Sequence, residues 1–102
     1  MTKYLFAITA LAAVCAGGSA HASADLAKAK NCMGCHAVDK RLVGPAFRDV
    51  AAKYKGQPTA HAKLAASIAK GSSGVWGTIP MPPNSVTEAE AQALAKWVLT
   101  QN

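Results

Sequence analysis

The stretch Cys32-Met33-Gly34-Cys35-His36 decides how the rest of the chain is interpreted. Two thiols three positions apart lie on one side of a helical turn, so both reach a single flat ring system. The imidazole that follows is then held beneath the centre of that ring. This C-x-x-C-H spacing is typical of covalent haem attachment, with Cys32 and Cys35 forming the thioethers and His36 binding the iron. Met33 and Gly34 take no part in the bonding.

The first 22 residues have the pattern of a secretory signal. Lys3 supplies a positive charge, residues 4–14 form an apolar run, and Ala20-His21-Ala22 is an A-x-A cleavage site. The run is well short of the roughly 20 apolar residues that span a bilayer. We therefore expect a signal peptide of residues 1–22, removed after Ala22. The remaining domain, residues 23–102, is expected in the periplasm without membrane insertion.

Three other kinds of site compete with haem for a C-x-x-C pair. A thioredoxin-like redox pair needs flanking strands, and no strand pattern surrounds the motif. A zinc ion needs four ligands; once Cys15 leaves with the signal, the cysteines and histidines that remain are those of the motif and the distant His61. A disulfide between Cys32 and Cys35 closes a loop too small to add much stability. These residues favour haem and leave the other three sites open.

The mature chain is small and basic. Its 80 residues are near the size at which a hydrophobic core alone gives thin stability, so one covalently held haem would supply a large apolar centre. Ten Lys and Arg stand against five Asp and Glu, a net charge of +5 with His neutral. The basic residues are dispersed along the chain, which disfavours a nucleic-acid site. The charge predicts an acidic protein partner instead.

Helical periodicity predicts an all-α fold. The predicted helices cover about residues 24–35, 46–55, 59–70 and 87–101. The first has an apolar side of Leu26, Ala29 and Met33 and ends in the haem motif. The other three have apolar stripes at i, i+3, i+4 spacing, formed by Phe47, Val50, Ala51 and Tyr54, by Leu64, Ala65 and Ile68, and by Ala91, Leu94, Ala95, Val98 and Leu99. The pattern Thr87 to Glu90 predicts a capping box at the start of the last of these helices.

Two further residues are candidates for the haem site. Just before the second helix, the Pro45 carbonyl is a candidate acceptor for the second ring N–H of His36. The Gly-, Ser- and Pro-rich loop 71–86 contains Met81 between prolines, 45 positions after His36, far enough to reach the opposite haem face. A thioether suits Fe(II), and a His/Met pair raises the reduction potential. His61 is a weaker candidate ligand, and a partly exposed surface histidine is the simpler interpretation.

The motifs C-M-G-C-H, V-G-P, G-V-W-G and I-P-M-P-P-N occur in this order. With them, residues 23–102 resemble class I cytochromes c, and more narrowly the small bacterial cytochrome c-551/c-552 type, also called cytochrome c8. The resemblance implies four short helices packed around one haem c. It also implies that His36 and Met81 are the axial ligands of the iron and that Cys32 and Cys35 hold the haem covalently.

The same resemblance implies roles for residues around the ligands. The Pro45 carbonyl orients the axial imidazole, Trp76 hydrogen-bonds a haem propionate, and the Asn84 side chain lies near the axial sulfur. Some relatives have a basic residue near that propionate where this chain has Ser67. One charge partner of the propionate is therefore absent here.

The expected function is one-electron transfer by a soluble, monomeric carrier of the periplasm. It is not an enzyme, because two protein ligands on the iron leave no coordination site for a substrate. The resemblance implies respiratory partners: a quinol-oxidising complex upstream, and a nitrite reductase, as in denitrification, or a terminal oxidase downstream. Encounters of this kind are small, weak and steered by charge. The alternative is a gas-binding or peroxidase-like haem protein with an open sixth site.

Overall fold

The computed structural model describes residues 18–102, which fold into four α-helices without a strand. The helices are α1 (Gly18–Ala29), α2 (Phe47–Tyr54), α3 (Ala60–Lys70) and α4 (Glu88–Leu99), with a 3₁₀ turn at Cys32–Gly34. The predicted all-α class is confirmed. Most of the predicted signal, residues 1–17, lies outside the described residues. None of the helices in the described range is long and apolar enough to cross a membrane.

The first helix departs from its predicted end and its predicted face. It ends at Ala29 instead of continuing to Cys35, because Asn31 adopts the left-handed conformation with φ 61°. Asn is one of the few residues besides Gly that adopt this conformation readily, and it ends helices for that reason. Within residues 22–29 of α1, Ala27 is buried and Leu26 half-buried, whereas Ala29 is exposed. Packing of α1 on α4 thus selects a small side chain, which the predicted apolar side did not include.

The core forms around α4, against which α1, α2 and α3 each pack. The predicted stripes of the last three helices are confirmed, with Tyr54, Ile68 and Leu99 half-buried at their edges. Most of the buried side chains are small, and Leu94 is the largest that is fully buried. The buried residues of these helices are Phe47, Val50 and Ala51; Ala60, Leu64 and Ala65; and Ala91, Leu94, Ala95 and Val98.

The capping box predicted at the start of α4 is formed. The Glu90 N–H donates to Thr87 Oγ1 at 3.1 Å, and the Thr87 N–H donates to Glu90 Oε1 at 2.9 Å. Lys30 Nζ lies 3.7 Å from the same Glu90 oxygen and donates to the Ser85 carbonyl at 3.0 Å. The hydrogen bond from the Thr87 N–H is the main reason that the pKa of Glu90 is lowered, and the Lys30 charge adds to the lowering. The box therefore joins the segment before the haem motif to the start of α4.

Removal of this cap should destabilise the fold. Thr87→Ala should lower the free energy of unfolding by about 1 kcal/mol, because the N–H at the third helical position loses its acceptor. The pKa of Glu90 is lower in the folded protein. Its stabilisation is therefore present above the ordinary glutamate pKa of about 4.3 and is lost as the pH falls through the lowered value.

Denaturant unfolding of wild type and Glu90→Gln, from neutral pH to below the glutamate range, measures this pH dependence. Glu88→Gln is the control, since Glu88 lies in the same helical turn but outside the box. The stability difference between wild type and Glu90→Gln should shrink on acidification. A difference that stays constant with pH would contradict the role of the carboxylate.

Candidate haem-binding site

One cleft collects most of the predicted site residues. Cys35, His36 and Pro45 lie along it together with Trp76 and Met81. The space that it encloses, counted together with the part open to solvent, is about 970 Å³. Its walls are mainly apolar and come from α2, α3, α4 and the loops 37–46 and 71–86. Two segments far apart in the sequence therefore meet across a single apolar cleft.

The haem motif occupies the 3₁₀ turn that follows α1. The Cys32 carbonyl accepts hydrogen bonds from the N–H groups of Cys35 at 3.2 Å and His36 at 3.0 Å. Both cysteines are free thiols; Cys32 is half-buried against the core and Cys35 is exposed. Burial raises the pKa of the Cys32 thiol, and a backbone hydrogen bond partly offsets this. A single tight turn thus carries two thiols and an imidazole into the same part of the site.

The His36 imidazole is held on three sides. Nδ1 lies 2.8 Å from the Pro45 carbonyl oxygen. Since a carbonyl only accepts, Nδ1 carries the hydrogen and Nε2 keeps its lone pair in the neutral ring. The Phe47 ring stacks on the imidazole with centroids 4.9 Å apart and 21° between the planes. On a third side, a Cβ at Gly44 would lie 2.5 Å from His36 Cε1, so glycine backbone packs directly against the ring.

Backbone hydrogen bonds explain why these groups meet at His36. The Gly44 N–H donates to the Cys35 carbonyl at 2.7 Å, and the Phe47 N–H donates to the Ala37 carbonyl at 2.9 Å. The segment leading into α2 therefore runs back along the haem motif. Neither the close approach of Gly44 nor the stacking of Phe47 follows from the apolar stripes or the motif spacing. A glycine directly before a proline is the local signal that was available for a close backbone approach.

Met81 lies where the long loop closes on itself. Its N–H donates to the Ser72 carbonyl at 2.8 Å, and its carbonyl accepts from the Ser72 N–H at 3.0 Å. Gly71, at φ +86°, is required beside this pair, because a Cβ there would lie 2.7 Å from the Met81 carbonyl oxygen. Asn84 donates to the Ile68 carbonyl from its side-chain Nδ2 at 2.9 Å and from its backbone N–H at 3.2 Å. Both ends of the loop are thus fastened near the end of α3.

Trp76 lies between two basic residues that the sequence analysis missed. Arg41 Nη2 donates to the Trp76 carbonyl at 3.1 Å, and Lys53 Nζ lies 5.3 Å from the centroid of the indole ring. Ser67 also faces the cleft and brings no charge. Such contacts between residues far apart in the sequence leave no periodic signal by which they could be found.

His61 lies outside this cleft. Its Nε2 is 3.0 Å from the Gln92 carbonyl oxygen, which joins α3 to α4, and its side chain lines a separate cavity that reaches Asn102. The iron-ligand role considered for His61 is therefore not supported. Within residues 18–102, no three His, Cys, Asp or Glu side chains are grouped as ligands for a metal ion. The zinc site left open by the sequence is likewise not supported.

Comparison with known proteins identifies the family. Residues 20–102 match the cytochrome c family. The chain belongs to this family. It is 62% identical over 76 residues to cytochrome c-551 of Pseudomonas aeruginosa, covering 74% of this chain and 73% of that protein. It is 49% identical over 100 residues to cytochrome c-552 of Hydrogenobacter thermophilus, covering 98% of each. The crystal structure of wild-type cytochrome c552 from Nitrosomonas europaea matches with a TM-score of 0.75 at 56% identity, over 78% of this chain and 99% of that one.

This chain is therefore a small class I cytochrome c, an electron-transfer protein with one covalently bound haem c and its iron, and not an enzyme. The cleft fits that group on its own chemistry. Its walls are mainly apolar, Cys35 and His36 line it, and Cys32 lies in the same turn, half-buried against the core. The Nε2 of His36 keeps the lone pair that a metal needs. The redox pair of a thioredoxin-like protein is excluded by the all-helical fold around the motif.

Gly44→Ala should displace the imidazole of this cytochrome. The new Cβ would overlap His36 Cε1, and overpacking of this kind costs about 1–3 kcal/mol of unfolding free energy. Unfolding of the holoprotein by denaturant measures the loss, and a changed reduction potential is expected with it. Gly34→Ala is the matched control, because its nearest neighbour is the exposed Asn31 side chain at 3.2 Å. Equal stability of the two variants would contradict the packing of Gly44 on the ring.

Proposed function

We propose that this cytochrome is a periplasmic one-electron carrier whose haem is held by thioethers from Cys32 and Cys35, with His36 and Met81 as the two axial ligands. Support comes from one observation above all: His36 and Met81 border the same cleft although 45 positions separate them. When bound, the haem iron supplies the Fe(III)/Fe(II) couple. Two side-chain ligands leave no coordination site for a substrate, which suits electron transfer.

The part of the polypeptide in this reaction is to keep two ligands still. His36 is oriented by the Pro45 carbonyl, the Phe47 ring and the backbone beside them. Met81 is fixed through its backbone pairing with Ser72, and the prolines on either side of it stiffen the chain. Ligands that do not rearrange keep the reorganisation energy of electron transfer small. The soft thioether sulfur favours Fe(II) and thereby raises the reduction potential.

Two further residues are proposed to act around the cofactor. Trp76 is half-buried in the cleft wall and is assigned as the hydrogen-bond donor to a propionate, as the indole N–H is a donor only. Asn84 is assigned to the surroundings of the Met81 sulfur. Its bonds to the Ile68 carbonyl fasten the segment that follows Met81.

Electron transfer is proposed to occur where exposed apolar side chains border the cleft. Val43 from one loop and Val75 and Ile79 from the other are exposed and line it, and Leu42 is exposed beside Val43. Ile79 is the most exposed of these, at 65%. Exposed apolar groups of this kind mark interaction sites, while the basic net charge steers an acidic redox protein toward them. A quinol-oxidising complex as donor and a nitrite reductase or terminal oxidase as acceptor are the proposed partners of this monomer.

Periplasmic location rests on the proposed signal peptide of residues 1–22. Haem of the c type is attached outside the bacterial cytoplasm, so export and the C-x-x-C-H motif agree. The proposed cleavage after Ala22 falls inside α1, which begins at Gly18. The part of α1 that remains still contains Ala27, the side chain buried in the packing of α1 on α4.

Met81→Ala should open one side of the iron. In protein exported with the haem-attachment machinery, which should begin at Ser23, we expect loss of the far-red ferric band of sulfur ligation. A lower reduction potential and new binding of carbon monoxide to the ferrous form should accompany it. Absorption spectroscopy and potentiometry measure these changes. Met33→Ala is the control, because Met33 packs against the core and should keep the band. An unchanged reduction potential in Met81→Ala would contradict the assignment of Met81 as an axial ligand.

Ile79→Glu should slow electron transfer to an anion. Oxidation of the ferrous protein by hexacyanoferrate(III), followed by stopped flow, should become about two- to fivefold slower at low ionic strength, because the new charge repels the oxidant. Added salt should shrink the difference. Ala62→Glu makes the same charge change at an exposed position of α3 and should have a smaller effect. Equal slowing by both substitutions would argue against transfer through the surface around Ile79.

A further inference from the structure

The tip of the long loop, residues 73–80, makes very few hydrogen bonds to the rest of the protein, and its half-buried Trp76 packs against the core. Its base is closed by the pairing of Ser72 with Met81. Within residues 18–102, no backbone hydrogen bond joins the tip to another segment. The hydrogen bond from Arg41 to the Trp76 carbonyl is the one side-chain hydrogen bond in that range that does so. The tip nevertheless forms part of the cleft wall, so its position matters for the whole site.

Arg41 reaches the tip from the other side of the cleft. It belongs to the loop after the haem motif, where it pairs with His36 in an isolated antiparallel bridge. Its guanidinium lies against the peptide that follows Trp76: a Cβ at Gly77 would be 3.7 Å from Arg41 Nη2, and Gly77 has φ +123°. A planar guanidinium suits this position, since it can donate to a carbonyl while lying flat on a peptide. The contact therefore links the segment of the imidazole to the loop that carries Met81.

Lys53 holds the same tip from a third direction. It lies in the last turn of α2, and its ammonium is 5.3 Å from the centroid of the Trp76 ring, within the range of a cation–π contact. Arg41 thus acts on the backbone of Trp76 and Lys53 on its ring. Both side chains belong to exposed residues, and neither is an axial ligand.

We propose that Arg41 and Lys53 are positioning residues that latch the tip 73–80 over the cleft and set how often the Met81 side of the site opens. Each acts through Trp76, because the ring and its carbonyl are the groups that they touch. The latching of the tip by Arg41 and Lys53 does not require Met81 to bind the iron. Control of access to the iron additionally rests on the proposed ligation by Met81.

Amide hydrogen exchange of the ferrous holoprotein tests the latch directly. The N–H groups of Ser72 and Met81 pair with each other's carbonyls, so their exchange reports opening of the loop. Arg41→Gln should speed this exchange by about two- to tenfold, as expected for the loss of one solvent-exposed hydrogen bond. Arg41→Lys keeps the charge and a donor and should restore part of the protection.

Arg48→Gln is the control for Arg41, since it removes the same charge from an exposed position on α2 and should leave exchange at the loop base unchanged. Thermal unfolding verifies that the variants remain folded. Equal exchange rates at Ser72 and Met81 in Arg41→Gln and Arg48→Gln would overturn the latch.

Imidazole binding to the ferric protein tests control of access. The rate at which the far-red ferric band disappears measures the displacement of the Met81 sulfur by imidazole. Arg41→Gln should speed it by about two- to tenfold and Lys53→Gln by about two- to fivefold, with Lys63→Gln as the control for the lysine. The double variant should show less than the product of the two effects, because both residues act on Trp76.

Unchanged rates in both single variants would overturn the proposed control of access. A wild-type protein without the far-red band would instead remove the proposed Met81 ligation. Hydrogen exchange would still decide whether the latch exists, so the two failures are distinguishable.

Discussion

The hydrogen bond between the His36 imidazole and the Pro45 carbonyl is the constraint on which most of the site depends. Because the carbonyl accepts only, it fixes which ring nitrogen carries the hydrogen and which keeps its lone pair. The bond brings Gly44 and Phe47 to the ring as well, since both adjoin the same short segment. Phe47 is also the first residue of α2 and part of the core. The start of a helix and the orientation of the His36 ring are therefore set by the same few atoms.

The core of this cytochrome is built mainly from small side chains. Many of the buried residues are alanines, and Leu94 is the largest side chain that is fully buried. Such a core buries limited apolar area per residue, and a domain of this size has little stability in reserve. Several of its larger apolar residues, including Phe47, Val50 and Leu64, face the cleft. A flat apolar cofactor in that cleft completes the core, so binding of the cofactor and stability of the fold rest on shared contacts.

The sequence predicts those parts of the structure that local patterns control. The apolar stripes predict the ends of α2, α3 and α4 to within one or two residues. The capping box of Thr87 and Glu90 predicts where α4 starts. The predicted end of the first helix was wrong because a single residue, Asn31, adopts the left-handed conformation and turns the chain. The predicted apolar side of that helix was wrong at Ala29, which is exposed, and missed Ala27, which is buried where α1 packs on α4. The other two predicted residues, Leu26 and Met33, are half-buried.

The site shows the same division. Cys32, Cys35 and His36 form a short pattern of fixed spacing, so the motif is visible in the sequence. The prolines around Met81 single it out in the same way. The contacts of Arg41 and Lys53 with Trp76 join segments far apart in the chain, and general surface basicity is all that the sequence shows of them. Where function depends on pairs brought together only by the fold, local patterns give no indication.

The last helix to be synthesised is the one on which the other helices pack. A chain made from its N-terminus therefore presents the Cys32–His36 turn long before α4 exists to receive α1. Until α4 has packed, that turn lacks the cleft that later surrounds it. The attachment motif is local in the sequence, whereas the apolar walls around it come from helices along the whole chain and depend on the last of them.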